Sequence, residues 1–526
     1  MVRHASIGSL VLACVLILAS CQPRQTADRA TTVTPLGPWS PGTSLRRTFE
    51  SFPATGDATT GLRLLRSNTD AWIERWRLLD GAERTIDLSY FILHQDAFGM
   101  AFLGHLLERA KQGVHVRLLL DAQGTKMSWT PIGNDVLDEL LATGNVELRT
   151  YRPLPRRLLE AFITLTPSAA IASDHDKIIV IDGRDSLTGG RNIGAEYFAE
   201  RTAKPDAFSD ADLALRSPAT SQILTRAFEA EFDSRRAVAE LGEVANIASR
   251  EAELLGAYRA MDAWLRGVPV ASDDAAIARW RDEIAPYAAL RGGLRRRPRP
   301  AMLGAEARVL DSQTRFDSAN DPITQGLARL VQAAQRSILI ESPYLVLSAD
   351  AVALLTAAGE RGVETTILTN SPVSSDNALS QAFFLEQWPE LLARVPGLRL
   401  FVRGEPSTLH SKATVFDEQL ATVGTYNLDP TSQRLNSEVV VVVWSDRFAR
   451  DVARGPRRLI ASRAPAVYEY RIRRDAAGAP VRDDDGRPIV EFGPDQHSSP
   501  SQRKTLTAFR TMLRAADDLP GESPIF

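Results

Sequence analysis

Residues 173–194 read Ser-Asp-His-Asp-Lys-Ile-Ile-Val-Ile-Asp-Gly-Arg-Asp-Ser-Leu-Thr-Gly-Gly-Arg-Asn-Ile-Gly, and the pattern inside this stretch occurs twice. The pattern His-x-Lys-x4-Asp-x6-Gly-x-x-Asn begins at His175 and again at His410, 235 residues later. Several chemically distinct positions repeated at one spacing indicate an internal duplication. The paired positions are His175 and His410, Lys177 and Lys412, Asp182 and Asp417, Gly189 and Gly424, and Asn192 and Asn427.

The segments upstream of each copy also repeat, as a strand, a helix and a second parallel strand. Residues 86–93 alternate like a buried strand, residues 100–111 have a helical pattern, and residues 114–121 read as the next strand. Residues 334–344 and 360–368 repeat the two strand segments in the second half. The sequence therefore predicts an α/β fold made of two duplicated domains.

Bulk composition sets the class of protein and limits its partners. The 526-residue chain is 44% hydrophobic and 24% charged, which favours two globular domains. Its net charge of −3 and its isoelectric point near 6.2 provide no basic field, so nucleic acid is not expected as a partner.

The N-terminus has the pattern of an exported protein. Residues 1–20 combine Arg3 with an apolar stretch and are predicted to be a signal peptide. The sequence Leu18-Ala-Ser-Cys21 resembles the lipobox of bacterial lipoproteins, which predicts cleavage before a lipidated Cys21. A plain signal peptide with an accidental cysteine is the alternative. The predicted location is the periplasmic side of a membrane, and Gln22 after the cysteine favours the outer membrane.

Shifts in composition along the chain predict five regions. Residues rich in Thr, Pro and Ser after Cys21 indicate a solvated tether, and a helical, arginine-rich region separates the two halves. A hairpin and a tail helix are predicted after the second motif. The predicted boundaries are 1–20 for the signal peptide, 21–60 for the lipoprotein tether, 61–216 for the first domain, 217–300 for the helical and basic linker region, and 301–526 for the second domain.

Each motif copy carries side chains suited to phosphodiester chemistry. Strand alternation puts His175 and Lys177 on one face, and two such strands facing each other would bring two imidazoles and two ammonium groups into one pocket. The lysines, with Asn192 and Asn427, would neutralise the nonbridging oxygens of a phosphate. One imidazole can attack phosphorus while the other protonates the departing alcohol.

The two lysines supply the positive charge that a metal would otherwise provide, so neither a metal nor a cofactor is predicted. The remaining histidines of the body show no paired ligand spacing and are interpreted as ordinary structural or surface residues.

At these residues the sequence resembles the phospholipase D superfamily, whose members carry two His-x-Lys-x4-Asp motifs, and within it the bacterial cardiolipin synthase branch, most of all the C type. The segments Gly189-Gly-Arg-Asn-Ile-Gly194, Gly424-Thr-Tyr-Asn427 and Leu435-Asn-Ser-Glu438 add to the likeness. The resemblance implies two α/β/α sandwich domains with the active site at their interface. Thr425 is a departure, because serine or glycine is common there.

The resemblance also implies roles for the site residues. A phosphohistidine intermediate is expected on His175 with His410 as the acid, and the reverse assignment stays open. Glu438 is expected beside His175, and Asp210 beside His410, each orienting an imidazole. Asp182 and Asp417 are expected to brace the motifs rather than touch phosphate.

The function predicted from these features is phosphatidyl transfer, with cardiolipin made from phosphatidylglycerol and a second phospholipid. Hydrolysis by phospholipase D chemistry to phosphatidic acid is the main alternative, since both reactions share one intermediate. An exported nuclease and a non-catalytic membrane scaffold are weaker readings. The expected partners are phospholipid substrates and a membrane surface reached through lipidated Cys21, while an accessory membrane protein is left open.

Overall fold

The computed structural model describes residues 36–125, 135–164, 170–239, 249–269, 275–314 and 321–500, together with Arg503 and Thr507. The predicted signal peptide, Cys21 and most of the predicted tail helix lie outside these residues. The strands are β1 (Thr60–Leu65), β2 (Thr85–Tyr90), β3 (His115–Asp121), β4 (Val146–Tyr151), β5 (Lys177–Ile181), β6 (Asp185–Gly189), β7 (Asp212–Arg216), β8 (Ala237–Ala239), β9 (Leu303–Ser312), β10 (Ser337–Glu341), β11 (Glu364–Asn370), β12 (Arg399–Arg403), β13 (Ala413–Phe416), β14 (Leu420–Gly424), β15 (Glu438–Trp444), β16 (Val467–Ile472) and β17 (Val490–Phe492).

The helices lie mostly between these strands, as expected for an α/β fold. They are α1 (Leu45–Glu50), α2 (Asn68–Asp80), α3 (Ala97–Lys111), α4 (Asp135–Leu141), α5 (Leu154–Thr164), α6 (Ala195–Phe198), α7 (Pro218–Phe232), α8 (Glu251–Arg266), α9 (Ala275–Ile284), α10 (Gly293–Arg296), α11 (Pro322–Ala333), α12 (Ala349–Glu360), α13 (Ala378–Arg394), α14 (Pro430–Arg434), α15 (Asp446–Ser462) and α16 (Pro494–His497). In the part of the chain that the structure describes, no helix combines the length and apolar character needed to cross a bilayer.

The two halves have the same strand order, which confirms the predicted duplication. The first half pairs its strands in the order β8-β4-β3-β2-β5-β6-β7-β1, with only β2, β3 and β4 parallel to one another. The second half follows the equivalent order β16-β12-β11-β10-β13-β14-β15-β9. Strands β1 and β9 pair antiparallel at the centre and join the halves.

A shared core reinforces this junction between the halves. Ile178 and Val180 of β5 belong to the same buried cluster as Val415 of β13 and Val441 of β15. Burial of apolar surface contributes about 25 cal/mol per Å². The halves are therefore held together by packing next to the motif strands as well as by the β1–β9 ladder.

The predicted tether is wrong for residues 45–52, which are part of the folded body. Helix α1 is capped by Ser44, whose side chain accepts a hydrogen bond from the backbone N–H of Arg47. Leu45, Phe49 and Phe52 are buried in the core of the second half. Leu45 and Phe49 give the helix one apolar face and Phe52 follows just beyond its end, and the packing of these residues outweighs the Pro-rich composition nearby.

The region 217–300 is wrong as a linker, because its helices complete the first half. Leu224 of α7 packs against the β5 side of the shared core. Leu254 and Met261 of α8, with Trp280 of α9, belong to the large core cluster of the first half.

Two arginines of the run that ends this region pair with acids on α2. Arg297 pairs with Asp70 at 2.7 Å, and Arg299 pairs with Glu74 at 2.5 Å. Arg297 and Arg299 of the predicted basic linker region are thus ion-paired with the first half.

The predicted hairpin between residues 467 and 492 is present at the edge of the second half. Strands β16 and β17 pair antiparallel, and Gly486, in the segment that connects them, adopts a φ of 77°. A positive φ is favourable for glycine because it has no Cβ. The hairpin lies at the opposite end of the sheet from the β1–β9 junction and so does not position the site.

Candidate active site

The two motif hairpins deliver their histidines and asparagines to the boundary between the halves. His175 lies two residues before the start of β5, and Asn192 follows the end of β6. His410 and Asn427 have the equivalent positions around β13 and β14. All four side chains are buried. The antiparallel pairing of β5 with β6, and of β13 with β14, brings the two ends of each motif side by side.

The backbone of each histidine is bonded to the opposite half. The His175 N–H donates to the carbonyl of Ser437 at 3.1 Å, and the Ser437 N–H donates back to Ser173 at 3.1 Å. The His410 N–H donates to the carbonyl of Ser209 at 2.7 Å, and the Ser209 N–H donates to Thr408 at 2.8 Å. These reciprocal bonds fix the two motifs relative to each other.

The imidazoles are paired with carboxylates across the same boundary, at the places the resemblance implies. His175 Nδ1 lies 3.0 Å from each carboxylate oxygen of Glu438, and His410 Nδ1 lies 2.7 Å from Asp210 Oδ2. A carboxylate on Nδ1 selects the tautomer and leaves Nε2 for chemistry. Each histidine therefore depends on an acid from the other half.

Glu438 is itself held by two hydroxyl donors. Ser432 donates to Oε1 and Thr425 donates to Oε2, both at 2.5 Å. Because Thr425 supplies a hydroxyl at this point, its departure from the family pattern preserves a donor to the carboxylate that meets His175.

The lysines lie beside their own histidines, as strand alternation predicts. Lys177 Nζ donates to the carbonyl of His175 at 2.6 Å, and Lys412 Nζ donates to the carbonyl of His410 at 2.6 Å. Lys412 Nζ also lies 3.0 Å and 3.1 Å from the two ring nitrogens of His410. Both lysine side chains are buried.

The two asparagines are not equivalent. Asn192 Oδ1 accepts from the N–H of Ile92 at 3.0 Å, and its Nδ2 donates to the Tyr197 hydroxyl at 3.0 Å. Asn427 is buried, and its side-chain Oδ1 has no hydrogen-bond partner. Because both ends of the Asn192 amide are engaged, Asn427 is the asparagine whose Nδ2 donor is available to a phosphate oxygen.

Asp182 and Asp417 lie at the far ends of the motif strands, away from the histidines. Each adopts a positive φ, 53° and 52°, in the turn that follows its strand. The Asp182 carboxylate accepts three backbone N–H bonds from residues 83–85, and the Asp417 carboxylate accepts three from residues 335–337. Their geometry is that of a brace between the motif hairpin and the preceding strand.

We expect replacement of Asp417 by alanine to lower the free energy of unfolding by about 2–3 kcal/mol, because three backbone donors lose their charged acceptor. Asp417→Asn keeps one acceptor oxygen and tolerates a positive φ, so its cost should be about half as large. Urea denaturation followed by circular dichroism measures both. A wild-type midpoint for Asp417→Ala would contradict the bracing role.

Burial and the crowding of positive charge disfavour the imidazolium form, and they do so more strongly at His175 than at His410. Burial lowers the pKa of His175 well below its ordinary value, and Lys177 and Lys412 lower it further. Burial and Lys412 also lower the pKa of His410, but Asp210 opposes that shift.

The two orienting acids differ in charge. Burial would raise the pKa of Asp210, but His410 and Lys412 hold it well below its usual range. Burial raises the pKa of Glu438 to about 7, against the opposing effect of Lys177. His410 thus faces the more firmly ionised acid, which suits a proton carrier, while His175 is the more firmly neutral imidazole, which suits a nucleophile.

Arg191 is a positioning residue that the sequence reasoning missed. Its buried guanidinium donates to the Leu65 carbonyl at 3.0 Å, to Asn68 Oδ1 at 2.9 Å and to the Asp210 carbonyl at 3.0 Å. The second copy has Tyr426 at this position, so a comparison of the two copies leaves it as a variable site. The sequence signal for this role was the presence of an arginine within an otherwise apolar and glycine-rich segment.

Aromatic rings form part of the wall around the histidines. Phe91 contacts the His175 ring edge-to-face with centroids 5.0 Å apart, and Lys177 Nζ lies 5.4 Å from the same phenyl ring. Phe208 lies 5.5 Å from the ring of His410. These contacts fix the imidazole planes and limit the access of water.

One group of potential metal ligands lies outside the histidine pair. Among the described residues, His94, Asp96 and Glu196 place ligand atoms within 4.8 Å of one another. His94 Nδ1 contacts Glu196 at 3.0 Å, and Asp96 caps helix α3. These three residues lie outside both copies of the motif.

A duplicated α/β fold in which two His-Lys-Asn sets meet between the halves defines a phospholipase D-like enzyme. The chain belongs to the family described as cardiolipin synthase, PLD-like domain, whose model matches residues 76–232 and 327–459, more than half of the sequence. This match confirms the resemblance inferred from the doubled motif.

Individual relatives agree with the family. Cardiolipin synthase C of Escherichia coli (strain K12) is 28% identical over 440 residues, covering 79% of this chain and 87% of that protein. A cardiolipin synthase of Geobacillus thermodenitrificans (strain NG80-2) is 28% identical over 364 residues, covering 69% of this chain and 58% of that protein. The structure of phosphatidylserine synthase from Haemophilus influenzae Rd KW20 matches with a TM-score of 0.56 over 90% of this chain and 98% of that one; at 13% identity this shows a shared fold.

Proposed function

We propose that this protein transfers phosphatidyl groups between lipids through a phosphohistidine on His175, making cardiolipin from phosphatidylglycerol and a second phospholipid. The observation that carries the proposal is the pair of imidazoles, each bound through Nδ1 to a buried carboxylate of the other half. The family and its cardiolipin synthase relatives support the choice of a phospholipid substrate.

In the first step, Nε2 of His175 attacks the phosphorus of the donor lipid. The bond from phosphorus to the headgroup oxygen breaks, and the His410 imidazolium gives its proton to the departing alcohol. Lys177, Lys412 and the Asn427 amide stabilise the charge on the nonbridging oxygens as it develops. The product of this step is a phosphatidyl group on His175 and a free headgroup alcohol.

In the second step, the now neutral His410 takes the proton of an acceptor hydroxyl. The acceptor oxygen attacks phosphorus, the phosphorus–nitrogen bond breaks, and His175 is restored as a neutral imidazole. When the acceptor is the glycerol headgroup of phosphatidylglycerol, the product is cardiolipin; when it is water, the product is phosphatidic acid.

Product analysis tests the proposal directly. The purified full chain is incubated with vesicles of phosphatidylglycerol and phosphatidylethanolamine, and lipids are identified by mass spectrometry. We expect cardiolipin as the main product, with none formed by His175→Ala. Phosphatidic acid alone would mean that the enzyme is a hydrolase, and unchanged lipids would remove the proposed function.

The rate should depend on pH with a maximum near neutrality. Burial lowers the pKa of Lys177 to about 7 and raises that of Glu438 to about 7. The Lys177 ammonium is therefore lost as pH rises through 7, and the Glu438 carboxylate is lost as pH falls through 7, so kcat/KM should fall on both sides.

The alkaline limb can be assigned by substitution. Lys177→Arg keeps its charge at every working pH and should move the alkaline limb upward, even if the maximal rate is lower. Lys111→Arg, on an exposed lysine, is the matched control and should leave the profile unchanged. A profile that keeps its alkaline limb in Lys177→Arg would place that ionisation elsewhere.

The proposed location is the periplasmic side of a membrane, with a lipid on Cys21. This proposal rests on the lipobox-like sequence that ends at Cys21. Cys21→Ala should shift the protein from the membrane fraction toward the soluble fraction of exporting cells, and labelling with a radioactive fatty acid should disappear. Labelling that persists in Cys21→Ala would contradict it.

A further inference from the structure

Helix α5 presents an apolar face to solvent. The exposed fractions of Leu158, Leu159 and Phe162 are 56%, 58% and 78%. Among the described residues only two other large hydrophobic side chains are exposed, Val268 at 45% and Val490 at 38%, and they lie far apart in the sequence. Isolated exposed hydrophobics are ordinary, but three within two helical turns form a contiguous patch that calls for a partner.

The opposite face of α5 is anchored, so the apolar face cannot turn inward. The buried guanidinium of Arg157 donates to both carboxylate oxygens of Asp121, at 3.1 Å and 2.9 Å, and to the Ala172 carbonyl at 2.7 Å. Arg152, also buried, pairs with Glu160 of the helix at 2.9 Å. The orientation of the patch is thus a property of the fold.

The rim of the patch is basic. Arg156 and Arg235 are exposed, and the Arg156 guanidinium donates to the backbone carbonyl of Arg235, which keeps both near the helix. The one acid of α5, Glu160, is neutralised by Arg152 and by Arg236 at 3.4 Å. An apolar helix face with a positive border matches the boundary between acyl chains and anionic headgroups.

The helix is also connected to the catalytic strand. Arg157 donates to the hydroxyl of Ser173 at 3.2 Å, two residues before His175. Ser173 in turn accepts from the N–H of Ser437, which precedes Glu438. A surface that engages α5 is therefore held close to the pocket that must receive a lipid headgroup.

We propose that α5 is a bilayer-docking helix, which inserts Leu158, Leu159 and Phe162 into an anionic phospholipid surface and so presents the pocket to lipid. The inference rests on the proposed function in one respect: the membrane to which α5 binds is taken to contain the lipid substrate. Partner proteins are a poorer fit, because the patch has only three apolar side chains and is bordered by arginines.

The test uses the full chain carrying Cys21→Ala, so that no acyl anchor contributes to binding. Sedimentation with vesicles of phosphatidylglycerol and phosphatidylcholine compares this chain with one that also carries Leu158→Ser, Leu159→Ser and Phe162→Ser. We expect the triple variant to bind roughly tenfold or more weakly, because three partly inserted apolar side chains are lost. Val268→Ser, on an exposed apolar residue elsewhere, is the matched control and should bind like the parent.

Turnover separates docking from chemistry. On dihexanoyl phosphatidylglycerol below its micelle concentration, the triple variant should retain the parent rate within about twofold, whereas its rate on vesicles should fall with binding. If the parent turns over no lipid, the proposed function fails, while the sedimentation result still decides the role of α5. Equal vesicle binding by the parent and the triple variant would overturn the inference. It would also be overturned if the parent were a dimer and the three substitutions dissociated that dimer without changing vesicle binding.

A labelled variant covers the case in which the triple variant does not fold. The chain has two cysteines, Cys14 and Cys21, so Cys14→Ser and Cys21→Ala allow one thiol to be placed by Phe162→Cys. An environment-sensitive fluorophore there should shift to the blue with anionic vesicles and much less with phosphatidylcholine alone. The same label at Val268→Cys should not respond; equal responses at both positions would contradict docking through α5.

Discussion

His410→Ala is expected to accumulate a phosphohistidine on His175, and His175→Ala is expected to form none. With a lipid whose leaving group is an alcohol, both substitutions should lower turnover by about 10⁴-fold or more, since each removes one member of a pair that acts as a unit. An activated donor with a p-nitrophenyl leaving group needs no acid to depart. His410→Ala should therefore release one equivalent of nitrophenol in a burst and then stop, because no base activates the acceptor.

The covalent species can be identified by mass spectrometry of the intact protein and by its lability to acid. His175→Ala is the matched control, with the acid in place and no nucleophile. A burst with His175→Ala and none with His410→Ala would reverse the assignment of the two histidines, and activity that survives both substitutions would exclude the two-histidine mechanism.

Glu438→Gln and Asp210→Asn should each lower kcat by about 10²-fold or more, although neither side chain is proposed to touch the substrate. Each carboxylate holds an imidazole by its Nδ1 nitrogen, and the neutral amide supports the required tautomer poorly. The two losses should appear in different steps. With the p-nitrophenyl donor, Glu438→Gln should slow the burst, while Asp210→Asn should leave the burst and slow the later turnover.

Glu74→Gln provides a control for the cost of changing a buried acid. Glu74 is buried and paired with Arg63 at 2.7 Å, so its substitution should affect stability more than chemistry. If the two orienting variants lost activity only in proportion to their folded fraction, or slowed the same step, the proposed division of roles between the histidines would be contradicted.

The sequence predicted the motif strands and the duplicated fold because strand alternation and a repeated spacing are local signals. Which carboxylate meets which histidine is not local: 263 residues separate His175 from Glu438, and only the family resemblance implied that pairing. The roles of Asp182 and Asp417 likewise came from the resemblance, and the three backbone N–H donors at each were invisible in the sequence.

The errors concern packing partners rather than secondary structure. The helices of region 217–300 were expected, but an amphipathic pattern does not say which surface covers it, so the contact of α8 with the first core could not be foreseen. Helix α1 could not be predicted, because three apolar residues beside a Pro-rich segment are a weak helix signal. The helix is stabilised by the packing of Phe49 into the core of the second half, which the local sequence does not show.

The crossed pairing of histidines with carboxylates has the geometry of an isologous dimer interface enclosed within one polypeptide. Two separate subunits would share such a site only above their dissociation constant, and each would lose its orienting acid on dilution. Here the covalent connection between the halves supplies the second subunit at a high effective concentration. The specific activity should therefore be independent of enzyme concentration.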